Sequence, residues 1–301
     1  MSGPFDYLPA SQSFLDPVRA DAGKPEAARA VVIPFGLEAS VSYGGGTTRG
    51  PSAILAASQQ LELYDDEFSR EPYLDYGVAA LREPAIDRPL AAALDQIDSL
   101  VEAVVAAGRF PFVLGGEHSL TAGAIRPFAR KHKDLVVLQL DAHADLRDGY
   151  LGEPFSHASA MRRVLDQPGT SVVSVGIRAI SQAEAEFYGA NRGRVTIHWA
   201  KDQARWDVGE IVKPLAGRPV YITFDIDALD AAVMPATGTP TPGGLGYWQA
   251  LEVVRRACEV GNVIGADLVE FAPIEGFHAF DFTAASIAYK MLSYALAAKL
   301  S

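Results

Sequence analysis

The sequence is poor in several things, and each shortage excludes something. Cysteine occurs once, at Cys258. No intrachain disulfide can form, and a reducing, cytoplasmic setting is expected. Cys258 lies in an apolar-periodic stretch, where a thiol reads as inert core packing. No apolar run reaches the roughly 18 residues that a membrane-spanning helix needs. The opening Met-Ser-Gly-Pro-Phe-Asp has no basic region followed by an apolar run, so no signal peptide is expected. Positive charge is scarce as well: 26 Lys and Arg face 37 Asp and Glu, a net charge of −11. Nucleic acid needs a basic face, so this balance argues against it and mildly favours cationic partners. Internal repeats and low-complexity tracts are also missing.

What is there is a chain of 301 residues, 49% of them apolar, enough to bury a sizeable core. Residues 1–28, rich in Pro, Asp, Ala and Ser, read as an N-terminal arm, and 29–301 as a single domain. Strands are expected over 30–35, 110–114, 135–141, 171–177, 195–198, 220–225 and 263–267. Several are nearly continuous apolar runs, as in parallel strands covered on both faces. Helices are expected over 51–61, 89–107, 119–132, 246–260 and 282–300. Another opens at Ser181-Gln182-Ala183-Glu184, which has capping-box spacing. This alternation predicts an α/β fold with a mainly parallel sheet.

Three short clusters carry the chemistry: Gly-Gly-Glu-His-Ser at 115–119, Asp-Ala-His-Ala-Asp at 141–145 and Asp-Ile-Asp at 225–227. They supply His118, Asp141, His143, Asp145, Asp225 and Asp227. Each sits where a predicted strand runs out, and in open α/β sheets ligands bind beyond the carboxyl ends of strands. An isolated Asp-x-Asp is common in turns and caps, but three such clusters, each at a strand end, are not. Four carboxylates and two imidazoles are too many ligands for one ion and suit two divalent ions sharing bridging carboxylates. Such a pair can clamp a hydroxide, a nucleophile at neutral pH. With no thiolate among the donors, Mn²⁺ is favoured over a structural zinc.

With those residues in hand, the chain resembles the ureohydrolases, the family of arginase and agmatinase, from about residue 30 to the end. The resemblance rests on Gly115-Gly116-Glu117-His118-Ser119, on Asp141-Ala142-His143-Ala144-Asp145, and on Phe224-Asp225-Ile226-Asp227-Ala228-Leu229-Asp230. Gly238-Thr239-Pro240, Gly243-Gly244-Leu245 and Asp267-Leu268-Val269-Glu270 complete it. It implies a three-layer α/β/α fold and two Mn²⁺ per subunit. His118 and Asp145 would hold one ion, His143 and Asp227 the other, and Asp141 and Asp225 would bridge them. Asp145 would also hold the bridging hydroxide. Glu270 falls where the family grips the substrate guanidinium, and His157 where it carries a proton-shuttling histidine. Trimers or hexamers are usual in the family, so a homo-oligomer is expected.

The loop 145–154 looks like that of agmatinases, and the expected substrate is agmatine, cleaved to putrescine and urea. Arginases carry an asparagine where Arg147 stands and an aspartate where Ser181 stands. Arg147, Ser181, Glu184 and His278 are candidate residues for the substrate tail. Arg147 would suit a carboxylate better than an amine, unless it pairs with Asp148 or Glu153 or meets a neighbouring subunit. Arginine, guanidine and guanidino acids such as guanidinobutyrate and guanidinopropionate are therefore alternative substrates. Two departures from the family pattern are Ala158-Ser159 after His157 and Asp230-Ala231 in place of Asp-Pro. A single-zinc deacetylase of similar fold would lack the six-ligand set, and a non-catalytic binding subunit would have lost a ligand. Of the other histidines, His132 reads as a solvated helix end and His198 as structural.

Overall fold

The computed structural model describes residues 5–297. The first four residues and the last four, including the end of the helix expected over 282–300, lie outside the described residues. Eight strands among the described residues form one sheet: β1 Ala30–Phe35, β2 Val78–Ala80, β3 Phe110–Gly115, β4 Val136–Leu140, β5 Ser171–Ile177, β6 Val195–Trp199, β7 Pro219–Asp225 and β8 Asn262–Val269. Their order across the sheet is β2-β1-β3-β8-β7-β4-β5-β6, and every neighbouring pair is parallel.

Side chains alternate between the two faces with the period of an extended strand. Ala30 and Val32 of β1 join one core, while Val31, Ile33 and Phe35 join the other. In β7, Val220, Ile222 and Phe224 go to the first core and Tyr221 to the second. Covering both faces is what makes these strands read as unbroken apolar runs. The first face is covered by α1 Gly50–Ser58, α7 Val208–Val212, α8 Tyr247–Val260 and α9 His278–Leu296. The second is covered by α2 Leu90–Ala106, α3 Thr121–Ala124, α4 Arg126–Lys131 and α5 Ala160–Leu165. The result is the expected three-layer α/β/α arrangement. The remaining helix, α6 Gln182–Ala190, opens with the capping box at Ser181 and Glu184.

The structure differs from the expected elements at several points. The helix expected over 119–132 is broken into a 3-10 turn at His118–Leu120, then α3, then α4. Pro127 stands in the first turn of α4, where its missing N–H and its ring prevent a continuous helix. Gly123 lies so close to α2 that an added Cβ would sit 2.4 Å from the Leu94 carbonyl oxygen. The short β2, α5 and α7 carry too few residues for a periodic signal. In the N-terminal segment, Phe14 and Leu15 are fully buried in the first core, and Arg19 donates to the Val78 carbonyl at 2.6 Å.

The strand order matters most for function. It places β3, β8, β7 and β4 side by side in the middle of the sheet. Those four strands end at His118, Glu270, Asp225 and Asp141, so residues far apart in sequence share one edge.

Candidate metal centre

The first cluster leaves β3 through a turn that only glycine can make. A Cβ on Gly116 would lie 2.0 Å from the Leu37 carbonyl oxygen. The chain then enters the 3-10 turn that carries His118, buried at the sheet edge. His118 Nδ1 lies 3.1 Å from Asp141 Oδ2, 3.1 Å from Asp145 Oδ2 and 3.3 Å from Asp225 Oδ2. His143 Nδ1 lies 3.0 Å from Asp227 Oδ2 and 3.7 Å from Asp141 Oδ1. Two ligand groups result, His118 with Asp141 and Asp145, and His143 with Asp141 and Asp227. Asp141 belongs to both, and Asp225 reaches the first through His118.

Buried neighbours set these side chains. Gln139, a polar residue inside β4, donates to Asp141 Oδ2 at 2.7 Å and to the His143 carbonyl at 3.1 Å, and takes a hydrogen bond from Ser174 at 2.6 Å. The His143 N–H donates to Asp141 Oδ1 at 2.6 Å, the Asp227 N–H to Asp225 Oδ1 at 2.9 Å and the Ala142 N–H to Asp227 Oδ1 at 3.0 Å. Asp145 and Glu270 both hold positive φ, 52° and 62°, a conformation costly for non-glycine residues. Such strain gathers where a side chain must be aimed.

The other nitrogen of His118 decides what the site can hold. Nε2 lies 2.8 Å from Thr223 Oγ1. Thr223 is among the groups that stabilise the Asp267 carboxylate, beside Thr121 at 2.8 Å and Tyr221 at 2.9 Å. Thr121 gives its own proton to Asp267, so its oxygen, 3.4 Å from Thr223 Oγ1, can take the Thr223 proton. With its proton turned that way, Thr223 accepts from Nε2–H, and Nδ1 presents a lone pair. Nδ1 then faces three carboxylate oxygens, a contact that needs either a proton on the ring or a metal cation in its place. Buried imidazole nitrogens and carboxylate oxygens are the right donor set for divalent ions. The six residues therefore fit the implied metal pair.

Electrostatics agree. Burial pushes Asp141 up to about 7, and the charges of Asp145 and Asp227 add to it. Burial also drives Asp225 well above its usual range. Burial would raise Asp227 too, but His143 beside it and the Ala142 N–H bring it down to about 2. Burial would lower both histidines, yet the surrounding carboxylates outweigh it, lifting His143 to about 10 and His118 well above its usual value. This density of buried negative charge calls for bound cations.

Glu270 Oε1 accepts from the His118 N–H at 2.6 Å, and burial lifts its carboxyl to about 8. His157 stands across the cleft, between Ser40 and the edge of the Tyr150 ring. The cleft measures about 440 Å³, and Tyr43, Arg147, Arg178 and Thr239 help form its walls. Ser181 and Glu184 also line it, but Glu184 is already engaged by the N–H groups of Leu146 and Ser181, at 3.0 and 2.9 Å, and by the Ser181 hydroxyl. The partner of Arg147 is Glu184, at 3.6 Å, rather than Asp148 or Glu153. Asp148 instead pairs with Arg162 and Arg163. Arg147 also stacks on Tyr150, 4.7 Å from the ring centroid. His278 is exposed at the start of α9 and is not part of the cleft wall.

Sequence reasoning missed the support around the ligands: Gln139, Thr223, Arg178 and Ser40, and any role for Glu117 and Asp267. The available signal was a polar residue inside an otherwise apolar strand, as at Gln139 and Thr223.

Buried carboxylates and imidazoles converging at the carboxyl edge of a parallel sheet define a class, hydrolases that activate water on metal. Residues 28–294 match the Arginase family. The chain is 37% identical, over 89% of its length and 89% of the relative's, to the N(1)-aminopropylagmatine ureohydrolase of Synechocystis. It is 38% identical to the agmatinase of Bacillus subtilis over 84% of this chain and 87% of that one. Among solved structures, the agmatine ureohydrolase of Thermoplasma volcanium superposes with a TM-score of 0.82 at 31% identity, covering 92% of this chain and 93% of that one. The chain belongs to the arginase family and is a ureohydrolase.

Proposed function

We propose that this ureohydrolase cleaves the guanidino group of agmatine, releasing putrescine and urea, with two Mn²⁺ per subunit. The observation that carries the choice of substrate is the state of the two arginines in the cleft wall. Arg147 is paired with Glu184 and stacked on Tyr150. Arg178 is spent on the backbone carbonyls of Gly176, Asp227, Leu229 and Thr241. Arg178 is thereby withheld from a carboxylate tail, the Arg147 charge is offset by Glu184, and Asp145, Asp225, Asp227 and Glu270 make the floor acidic. An acidic cleft whose arginines are offset favours a substrate that is cationic at both ends.

Bound metal would supply an activated water. Glu270 then accepts hydrogen bonds from the guanidinium, offsets its charge and aims its carbon. His157 takes a proton on the attacking side and passes it to the departing nitrogen as the C–N bond breaks.

A longer cationic tail is the second reading. It is favoured by the 440 Å³ cleft and by similarity to an aminopropylagmatine ureohydrolase. The test is urea release by manganese-loaded protein from agmatine, N(1)-aminopropylagmatine, arginine, guanidine, guanidinobutyrate and guanidinopropionate. The proposal expects agmatine to have the highest kcat/KM. Preference for a guanidino acid overturns it and makes Arg147 the carboxylate partner. A cytoplasmic homo-oligomer belongs to the same proposal, and light scattering checks the assembly.

A further inference from the structure

Glu117 does not face the metal ligands. It is fully buried, and four donors converge on its carboxylate. Oε2 accepts from the N–H groups of Ala39 and Ser40 at 2.6 and 2.7 Å. Oε1 accepts from the hydroxyls of Ser119 and Ser40 at 2.6 and 2.8 Å. Ser40 has one hydroxyl proton, and Glu117 takes it. The Ser40 oxygen can then only accept. Two donors lie within its reach, both from His157: the backbone N–H at 2.9 Å and ring Nδ1 at 3.1 Å. A lone pair on Nδ1 would face the lone pairs of Ser40 at 3.1 Å, nearer than the Ser156 hydroxyl at 3.4 Å, so the arrangement favours the proton on Nδ1. Nε2 is then the free base, beside Ser42 Oγ of the cleft wall at 3.4 Å.

We infer that Ser40 is a positioning residue for the reaction, coupling His157 to the buried Glu117 so that the neutral ring keeps its proton on Nδ1 and offers Nε2 to the cleft. The inference rests on the reading of His157 as the proton carrier. A proton moving from the attacking side arrives on Nε2 and makes the ring an imidazolium. Its Nδ1–H stays hydrogen-bonded to Ser40, whose own proton leans on Glu117. When the departing nitrogen takes the Nε2 proton, the ring returns to its starting tautomer and no proton is left over. The Ser40 N–H also ties the loop to Glu117, so the oxygen that orients the ring is held by its own backbone as well as by its hydroxyl. The Tyr150 ring also packs against the imidazole in a T-shaped pair, at 6.3 Å and 89°.

The test compares Ser40→Ala, Ser40→Thr and His157→Asn, with turnover and metal content measured on manganese-loaded protein and the ring nitrogens of His157 followed by histidine-labelled NMR on metal-free protein, since Mn²⁺ would broaden those signals away. For Ser40→Ala the expected result is a fall in kcat of about ten- to a hundredfold, less than the roughly hundredfold or more that losing a positioned acid–base group outright would cost. KM stays within about twofold, metal content is unchanged, and the Nδ1–H preference of His157 is lost. Ser40→Thr keeps the hydroxyl and holds kcat within about threefold of the parent. Unchanged kcat in Ser40→Ala while His157→Asn is strongly impaired overturns the role of Ser40 alone. Unchanged turnover in His157→Asn overturns the proton-carrier reading on which it rests. A loss of metal in Ser40→Ala, or a matching loss in Ser40→Thr, reduces Ser40 to a loop support and overturns the inference too.

Discussion

At the scale of single residues, the site is governed by what sits behind each ligand. His118 reaches the metal side through Nδ1 only because Thr223 occupies Nε2 at 2.8 Å. Partners behind a ligating histidine fix its tautomer and its direction, and losing one typically costs about ten- to a hundredfold in metal affinity. Thr223→Val keeps the shape of the side chain and removes the acceptor. Titration with Mn²⁺ should show affinity weakened by about tenfold or more, while the fold is kept. Unchanged affinity would mean that the three carboxylates alone orient the ring. Arg147 shows the same dependence in reverse. Its charge looks unopposed in sequence, and the structure sets Glu184 at 3.6 Å and the Tyr150 ring against it.

At the scale of elements, the ligands depend on how strands end. The turn after β3 passes so close to Leu37 that Gly116 has no room for a side chain, with Leu37 O at 2.0 Å and Leu37 N at 2.7 Å from the added Cβ. Both are backbone atoms, so a rotamer change cannot relieve the clash. Gly116→Ala should lower the Tm of the metal-loaded protein by about 2–5 °C, the shift that an overpacking cost of roughly 1–3 kcal/mol gives in a chain of this length. It should also reduce turnover, because Glu117 and His118 follow directly. A variant with parental Tm and parental turnover would show that the turn can move without cost. The 3-10 turn, α3 and α4 that follow are broken by Pro127 and by close packing on α2, which keeps His118 at the sheet edge.

At the scale of the whole molecule, gathering four buried carboxylates at one edge makes stability depend on pH and metal together. Asp141 moves from 3.8 to about 7 on folding without metal, and Glu270 from 4.5 to about 8. Raised carboxyls mean that the folded state binds more protons than the unfolded one, so stability falls as pH rises through that window. His143, raised from 6.5 to about 10, loses its stabilising charge in the same direction. Asp227, lowered to about 2, changes only below this range. The metal-free protein should therefore lose Tm steadily between about pH 5 and about pH 8. The gain in Tm on adding Mn²⁺ should grow over the same interval, since cations replace the lost protons and their ligands must be deprotonated. A metal-free Tm that rises with pH there would contradict the burial of these groups. Among the described residues no helix is long and apolar enough to cross a membrane.

The sequence by itself determined the α/β class, most of the strands and the six candidate ligand residues, because apolar runs covered on both faces and Asp-x-His-x-Asp at a strand end are local patterns. Those patterns survive in one dimension. The all-parallel order that sets β3, β8, β7 and β4 together was decided in space, and so were the Thr223, Gln139 and Ser40 contacts and the partner of Arg147. His278 shows the limit from the other side: it is near Glu270 in sequence, yet α9 begins outside the cleft and leaves it exposed. Each of these depends on which side chain of one strand end meets which of another. Hydrogen-bond partners and the charges they leave free are properties of pairs, and only the tertiary structure brings the pairs together.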